Sequence, residues 1–172
     1  MNLARFAAAI AAPVLLAPAL AFGAPTADQT PGVQALYSAQ CADLLAGNWD
    51  AFESTLSPNF VAHVGGSSYS RDQIIGFEKS ARAQASFTAC TATVDSATLE
   101  NGVVIAIARH DVVATASGHA ITLGDGTRDM WTPQGASYVE TSSTQTWSTV
   151  TVDGRVVHQS GDVPSPSPSG SP

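Results

Sequence analysis

Apolar residues recur at helical spacing up to about residue 85 and at alternating positions after it. Val33, Leu36, Tyr37, Cys41 and Leu44 form one stripe three or four residues apart, which predicts an amphipathic helix. Thr30-Pro31 reads as its cap and first-turn proline, and Gly47 as its end. Asn48 can cap a second, short helix whose apolar face is Trp49, Phe52 and Leu56. Ser57-Pro58 stops it, because a residue before proline avoids the helical region. Residues 60–64 then read as a short strand, and Gly65-Gly66 as a turn. Ser70 and Gln73 are spaced as a capping box for a third helix. Its buried stripe is Ile74, Ile75, Phe77, Ala81 and Ala85, with Glu78 close beside it.

Residues 87–100, 103–115, 137–152 and 155–160 read as strands. Asn101-Gly102 and Asp153-Gly154 are two-residue hairpin signals between them. Residues 118–135 hold four glycines and a proline, and read as a long hairpin or loop. Helices grouped before strands predict an α+β domain, its three N-terminal helices packed on one face of an antiparallel sheet.

The ends read differently. Residues 1–23 carry one early cation, Arg5, then an apolar run, then Ala21-Phe22-Gly23. That is the pattern of a secretory signal peptide. The alternative, a membrane anchor, is disfavoured because Pro13 and Pro18 interrupt a run already short of the roughly 20 apolar residues a span needs. The expected organisation is a signal peptide (1–23), a mature N-terminal segment (24–29), one domain (30–162) and a disordered Pro/Ser tail (163–172). Such a chain is exported, to a periplasm or beyond the cell. Its net charge of −7 and lack of any basic run exclude nucleic acid and anionic membrane surfaces as partners. Cys41 and Cys90 are either a disulfide or two buried thiols, and the export signal favours the disulfide.

Three segments in this order resemble the nuclear transport factor 2-like superfamily, which includes the ketosteroid isomerases and the SnoaL-like polyketide cyclases. They are ALYSAQCADLLAGNWDAFESTLSPNFVAH, SRDQIIGFEKSAR and the closing TQTWSTVTVDGRVVHQSGD. The resemblance implies a cone: a curved sheet wrapped on the long helices, with an apolar cavity at its open end. It also implies pairing through the open sheet face, hence a homodimer. It does not imply a reaction, because the superfamily holds both enzymes and proteins without catalysis.

His63, in Phe60-Val61-Ala62-His63, occupies a slot resembling the one where ketosteroid isomerases place an Asp base. A histidine there could accept a proton near neutral pH. The plainer reading is a hydrogen-bonded histidine in the wall. Arg109, His110 and Asp111 interrupt an apolar strand, and alternation sends His110 to one face and Arg109 with Asp111 to the other. Either His110 or Asp111 would support His63, and the bland reading of the charged pair is an ion pair facing water. Tyr37, Phe60, Trp131 and Trp147 are the expected cavity lining, with Trp131 in the glycine-rich segment placed to cover the mouth. His158 could face either way. No metal-ligand spacing, nucleophile elbow or phosphate loop occurs, so neither metal nor cofactor is expected. The expected occupant is a small apolar molecule, either bound only or transformed by proton transfer.

Overall fold

A computed structural model describes residues 28–135 and 137–164. The expected signal peptide and most of the expected tail fall outside these residues.

The chain runs α1 (Thr30–Ala46), α2 (Trp49–Ser54), β1 (Leu56–Val64), β2 (Ser67–Ser70), α3 (Arg71–Gln84), β3 (Ser86–Glu100), β4 (Val103–Ala116), β5 (His119–Gln134), β6 (Ser137–Val152) and β7 (Arg155–Gly161). Gly47 closes α1 in the left-handed region (φ 68°), so that its N–H and that of Asn48 return to Leu44 and Asp43 carbonyls. The capping box of α3 is formed: Ser70 Oγ accepts from Gln73 N, and Ser70 N donates to Gln73 Oε1 at 2.9 Å. The two expected caps differ. Thr30 Oγ1 accepts instead from Ala97 N at 3.1 Å, and Asp28 Oδ1 accepts from Thr30 N. Asn48 turns its amide to Asp43 Oδ1 at 3.0 Å. Leu56, expected on α2, starts β1 and is buried.

The seven strands make one curled, open sheet in the order β2-β1-β6-β5-β4-β3, with β7 also paired to β6. All pairs are antiparallel except β1–β6, which is parallel. That exception follows from the helices: β1 arrives from α2, not from a hairpin, and lies along the first half of β6, while β7 takes the second half. Four tight turns have both central residues at positive φ: Gly65-Gly66, Asn101-Gly102, Ser117-Gly118 and Asp153-Gly154. This is the geometry that matches strand twist in a two-residue hairpin.

The glycine-rich segment is not a loop. It is β5, a full-length central strand paired on both sides. Gly126 is there because the Trp147 ring lies across it on the outer face of the sheet, and Gly124 because Thr149 and Asp111 crowd it. A Cβ on Gly126 would overlap Trp147 Nε1, and one on Gly124 would sit 2.9 Å from Thr149 Oγ1 and 3.2 Å from Asp111 Oδ1. Gly126→Ala should therefore cost about 1–3 kcal/mol through overpacking. In a Trp147→Ala background the same substitution should cost less than half as much. Urea denaturation of the four proteins checks this; equal costs in both backgrounds would show that the ring is not the obstacle.

The core has two parts. Val33, Tyr37 and Cys41 of α1 pack on Ala92, Val94 and Ala97 of β3, on Val104, Ala106 and Ala108 of β4, and on Trp131. Small side chains on the inner face let α1 lie close to the sheet. Gln34 fastens it there, donating to Ala92 O and accepting from Val94 N, both at 2.9 Å. Cys41 and Cys90 are bridged, tying α1 to β3. The second part joins Leu56, Phe60 and Ala62 of β1 to Ile75 of α3. Residues of both parts line a hollow between them.

Candidate functional site

The hollow has a volume of about 540 Å³. Its walls are apolar: Leu44 from α1, Phe52 from α2, Phe60 and Ala62 from β1, Ile74 from α3 and Val112 from β4. Alternation along β1 sends Phe60, Ala62 and Val64 inward. It sends His63 outward, where it is exposed and its Nδ1 sits 2.9 Å from Ser68 Oγ across the β1–β2 hairpin. His63 therefore does not reach the hollow.

On β4 the inner position of the polar trio is His110. Arg109 and Asp111 face outward and are exposed, and Arg109 pairs with Asp95 at 2.8 Å. Asp111 thus cannot support chemistry inside. Trp147 is on the outer face as well, so it walls no ligand. Trp131 covers no mouth: it is fully buried, packed edge-on against Tyr37 with ring centroids 5.1 Å apart. Tyr37 and Phe60 do line the hollow, and His158 of β7 borders it.

The floor of the hollow is polar, and its centre is a residue that sequence patterning did not single out. Asp129 of β5 is 1% exposed. Its Oδ2 accepts from the Tyr37 hydroxyl and from Thr127 Oγ1 at 2.6 Å. Trp131 Nε1 donates to the Tyr37 oxygen at 3.3 Å, which directs the Tyr37 proton to Asp129. Asp129 Oδ1 is buried and has no hydrogen-bond partner. The His110 ring meets Tyr37 edge-on at 5.1 Å, and its Nδ1 lies 3.8 Å from Asp125 Oδ1, within reach of charge attraction but too long for a hydrogen bond. Glu140 of β6, which receives Gln40 Nε2 at 3.2 Å, and Glu78 of α3 complete the acidic lining.

Burial sets the protonation of this floor. It raises Asp129 above the ordinary carboxylate range, against the polar hydrogens of Thr127, Tyr37 and Ser143 and the charge of His110. Burial first, and then the charge of Asp129, raise Glu140 well above its usual value. Burial and then Asp125 raise Glu78. Burial alone would lower His110, but Asp125, helped by Asp129 and Asp111, outweighs it and raises the imidazole. Burial, then the charges of Asp129 and Glu140, raise Tyr37 and keep it protonated.

All these folded-state values lie above those of the unfolded chain. The folded protein therefore retains protons that the unfolded chain gives up, and stability falls as pH rises through the folded values. Asp28 and Asp153, each held below its usual value by hydrogen bonds, work in the opposite sense only under about pH 4. The thermal midpoint should accordingly be higher near pH 5 than near pH 7, and Glu140→Gln should flatten that slope. A midpoint rising over the same interval would contradict these assignments.

Among the described residues no three His, Cys, Asp or Glu side chains converge as ligands for a metal ion. No helix among them is long and apolar enough to cross a membrane.

No protein-family model matches the chain, and a comparison with curated protein sequences finds no match. Solved structures do match. An NTF2-like protein from Shewanella oneidensis MR-1 superposes with TM-score 0.52 at 14% identity, over 67% of this chain and 97% of its own. The fold is nuclear transport factor 2-like. An NTF2-like protein with a cystatin-like fold from Novosphingobium aromaticivorans gives 0.50 at 15% identity, over 67% and 79%. A conserved protein from Planctomyces limnophilus gives 0.61 at 7% identity, over 66% and 91%. At such identities a nuclear transport factor 2-like likeness concerns the backbone alone, so any function must be argued from the hollow itself.

Proposed function

We propose that this is an exported protein whose hollow binds a small, mostly apolar molecule, the polar end of that molecule resting on the Asp129 floor. The observation that carries this reading is a cavity of about 540 Å³ with apolar walls and a few convergent polar groups. Ligand sites commonly have this size and lining. The disulfide fits an oxidising compartment. A bound molecule would displace water from Leu44, Phe52 and Phe60, which supplies the attraction, while the floor sets its orientation.

A second reading, proton transfer, is supported by the approach of His110, Tyr37 and Asp129 to one region of the floor. In that case His110, backed by Asp125, is the base, because His63 faces away. Binding alone is the better supported of the two. A ketosteroid-isomerase type of site stabilises an oxyanion with a Tyr proton and a protonated Asp. Here the Tyr37 proton is already committed to Asp129.

Titration with the neutral dye N-phenyl-1-naphthylamine tests the hollow. Its fluorescence should rise on binding, and Ala62→Trp, which places a ring in the cavity, should weaken binding by about tenfold or more. Circular dichroism establishes that the variant is folded. No fluorescence change with the parent protein, or equal affinity in a folded Ala62→Trp variant, would remove the hollow as a binding site.

A further inference from the structure

Three pairs in this chain join an Asn or Asp to a following glycine: Asn101-Gly102, Asp125-Gly126 and Asp153-Gly154. In such a pair the unhindered glycine nitrogen can attack the side-chain carbonyl carbon before it and close a five-membered succinimide. The ring does not form in a tight turn or an extended strand, because the backbone must first rotate out of that conformation. Local opening therefore decides which pair reacts. Asn48 and Asn59 precede Trp49 and Phe60, whose bulk hinders the attack.

The structure separates the three pairs. Asp125-Gly126 lies inside β5 and is held by strands on both sides. Asp153-Gly154 is a hairpin tip, but its side chain is clasped to the neighbouring tip. Asp153 Oδ2 lies 2.7 Å from His119 Nδ1, and Oδ1 accepts from Ala120 N at 3.0 Å. Asp153 N also donates to Ala120 O at 2.9 Å. His119 first and the Ala120 N–H second hold this carboxyl below its usual value, and an ionised carboxylate is a poor target for a nucleophile. Asn101-Gly102 closes the β3–β4 hairpin with both residues exposed. No described residue hydrogen-bonds the Asn101 side chain, so the turn alone keeps this tip shut.

We propose that Asn101 is a site of spontaneous modification, converting through a succinimide to aspartate and isoaspartate, and that the His119 clasp spares Asp153. The Gly102 nitrogen bonds to Asn101 Cγ, the Cγ–Nδ2 bond breaks, and ammonia leaves with the proton from Gly102. Water then adds to either ring carbonyl and reopens the ring, so no oxidant or reductant takes part. One product is aspartate. The other, isoaspartate, routes the backbone through the side-chain carbon and is one methylene longer. Both add a negative charge beside Glu100. The longer backbone no longer fits a two-residue turn, so the Glu100–Val103 and Leu99–Val104 pairs next to the tip are the ones it loosens.

Ageing the full chain in mildly alkaline buffer, well below its thermal midpoint, tests this. Peptide mass mapping at intervals measures the loss of the amide, and isoaspartyl methyltransferase counts isoaspartate. Asn101 should convert at least about tenfold faster than Asp153 isomerises, the factor that one hydrogen bond to a charged group sets. His119→Ala, an exposed change, should quicken Asp153 by about two- to fivefold, the range of an exposed ion pair, and leave Asn101 unchanged. A synthetic peptide of residues 97–106 supplies the unrestrained rate. An intact Asn101 in the folded protein after that peptide has fully reacted would overturn the site. Asp153 reacting as fast as Asn101, or at an unchanged rate in His119→Ala, would overturn the role of the clasp.

Discussion

The double variant Cys41→Ala, Cys90→Ala should lose about 4 kcal/mol of unfolding free energy relative to the parent protein. The bridge closes a loop with a sequence separation of 49. Removing such a link frees the unfolded chain to sample many more conformations, and loop-closure entropy sets a cost of that order. The bridge also does local work. Cys41 lies on the buried stripe of α1, and Cys90 on β3, a strand at the end of the sheet. Gln34 makes the same connection through two hydrogen bonds. With the bridge gone, the packing of Val33 and Tyr37 and the hydrogen bonds of Thr30, Gln34, Tyr37 and Gln40 would hold α1 on the sheet. Urea denaturation with and without reductant measures the loss. A difference below about 1 kcal/mol would mean that the unfolded chain is already restricted, or that the bridge strains the native state.

Trp131→Ala should cost about 3–5 kcal/mol, the range for truncating a large buried aromatic. Trp131 is fully buried and packs edge-on to Tyr37. It also donates Nε1–H to the Tyr37 oxygen, so truncation removes both volume and one bond of the polar floor. Trp131→Phe separates the two effects. It keeps most of the volume and should cost about 1–2 kcal/mol, mainly through the lost donor. If Trp131→Ala were as mild as Trp131→Phe, the ring would not be the support for Tyr37 described above.

Local chemistry was legible in the chain; long-range geometry was not. The Ser70/Gln73 box, the Asn101-Gly102 and Asp153-Gly154 turns and the Gly47 helix end each depend on a few neighbouring residues. They carry their signal in those residues. The parallel β1–β6 pair joins segments some eighty residues apart, and no short pattern announces it.

The glycines of β5 conceal the floor in the sequence. Gly124 and Gly126 resemble loop residues, yet they are small because Thr149 and Asp111 crowd the first and Trp147 crosses the second. Once the segment is a strand, Leu123, Asp125, Thr127, Asp129 and Trp131 fall on one face by simple alternation. The buried Trp131 at the end of that row was the available clue that Asp129 faces inward. A similar clue existed for His63. Phe60, Ala62 and Val64 share one face of β1, which leaves His63 on the other side with Val61. On β4 the alternation did separate His110 from Arg109 and Asp111, but which face was inward required the register of the sheet.

The hollow and its buried acidic floor can be examined together by carbon NMR of the Asp129 side-chain carboxyl, assigned with Asp129→Asn, through a pH titration with and without N-phenyl-1-naphthylamine. The expected result is a midpoint above the ordinary carboxylate range in the ligand-free protein, moving further upward when the neutral dye displaces water from the hollow. A midpoint in the ordinary range that does not respond to the dye would contradict both the burial of the group and its place at the hollow.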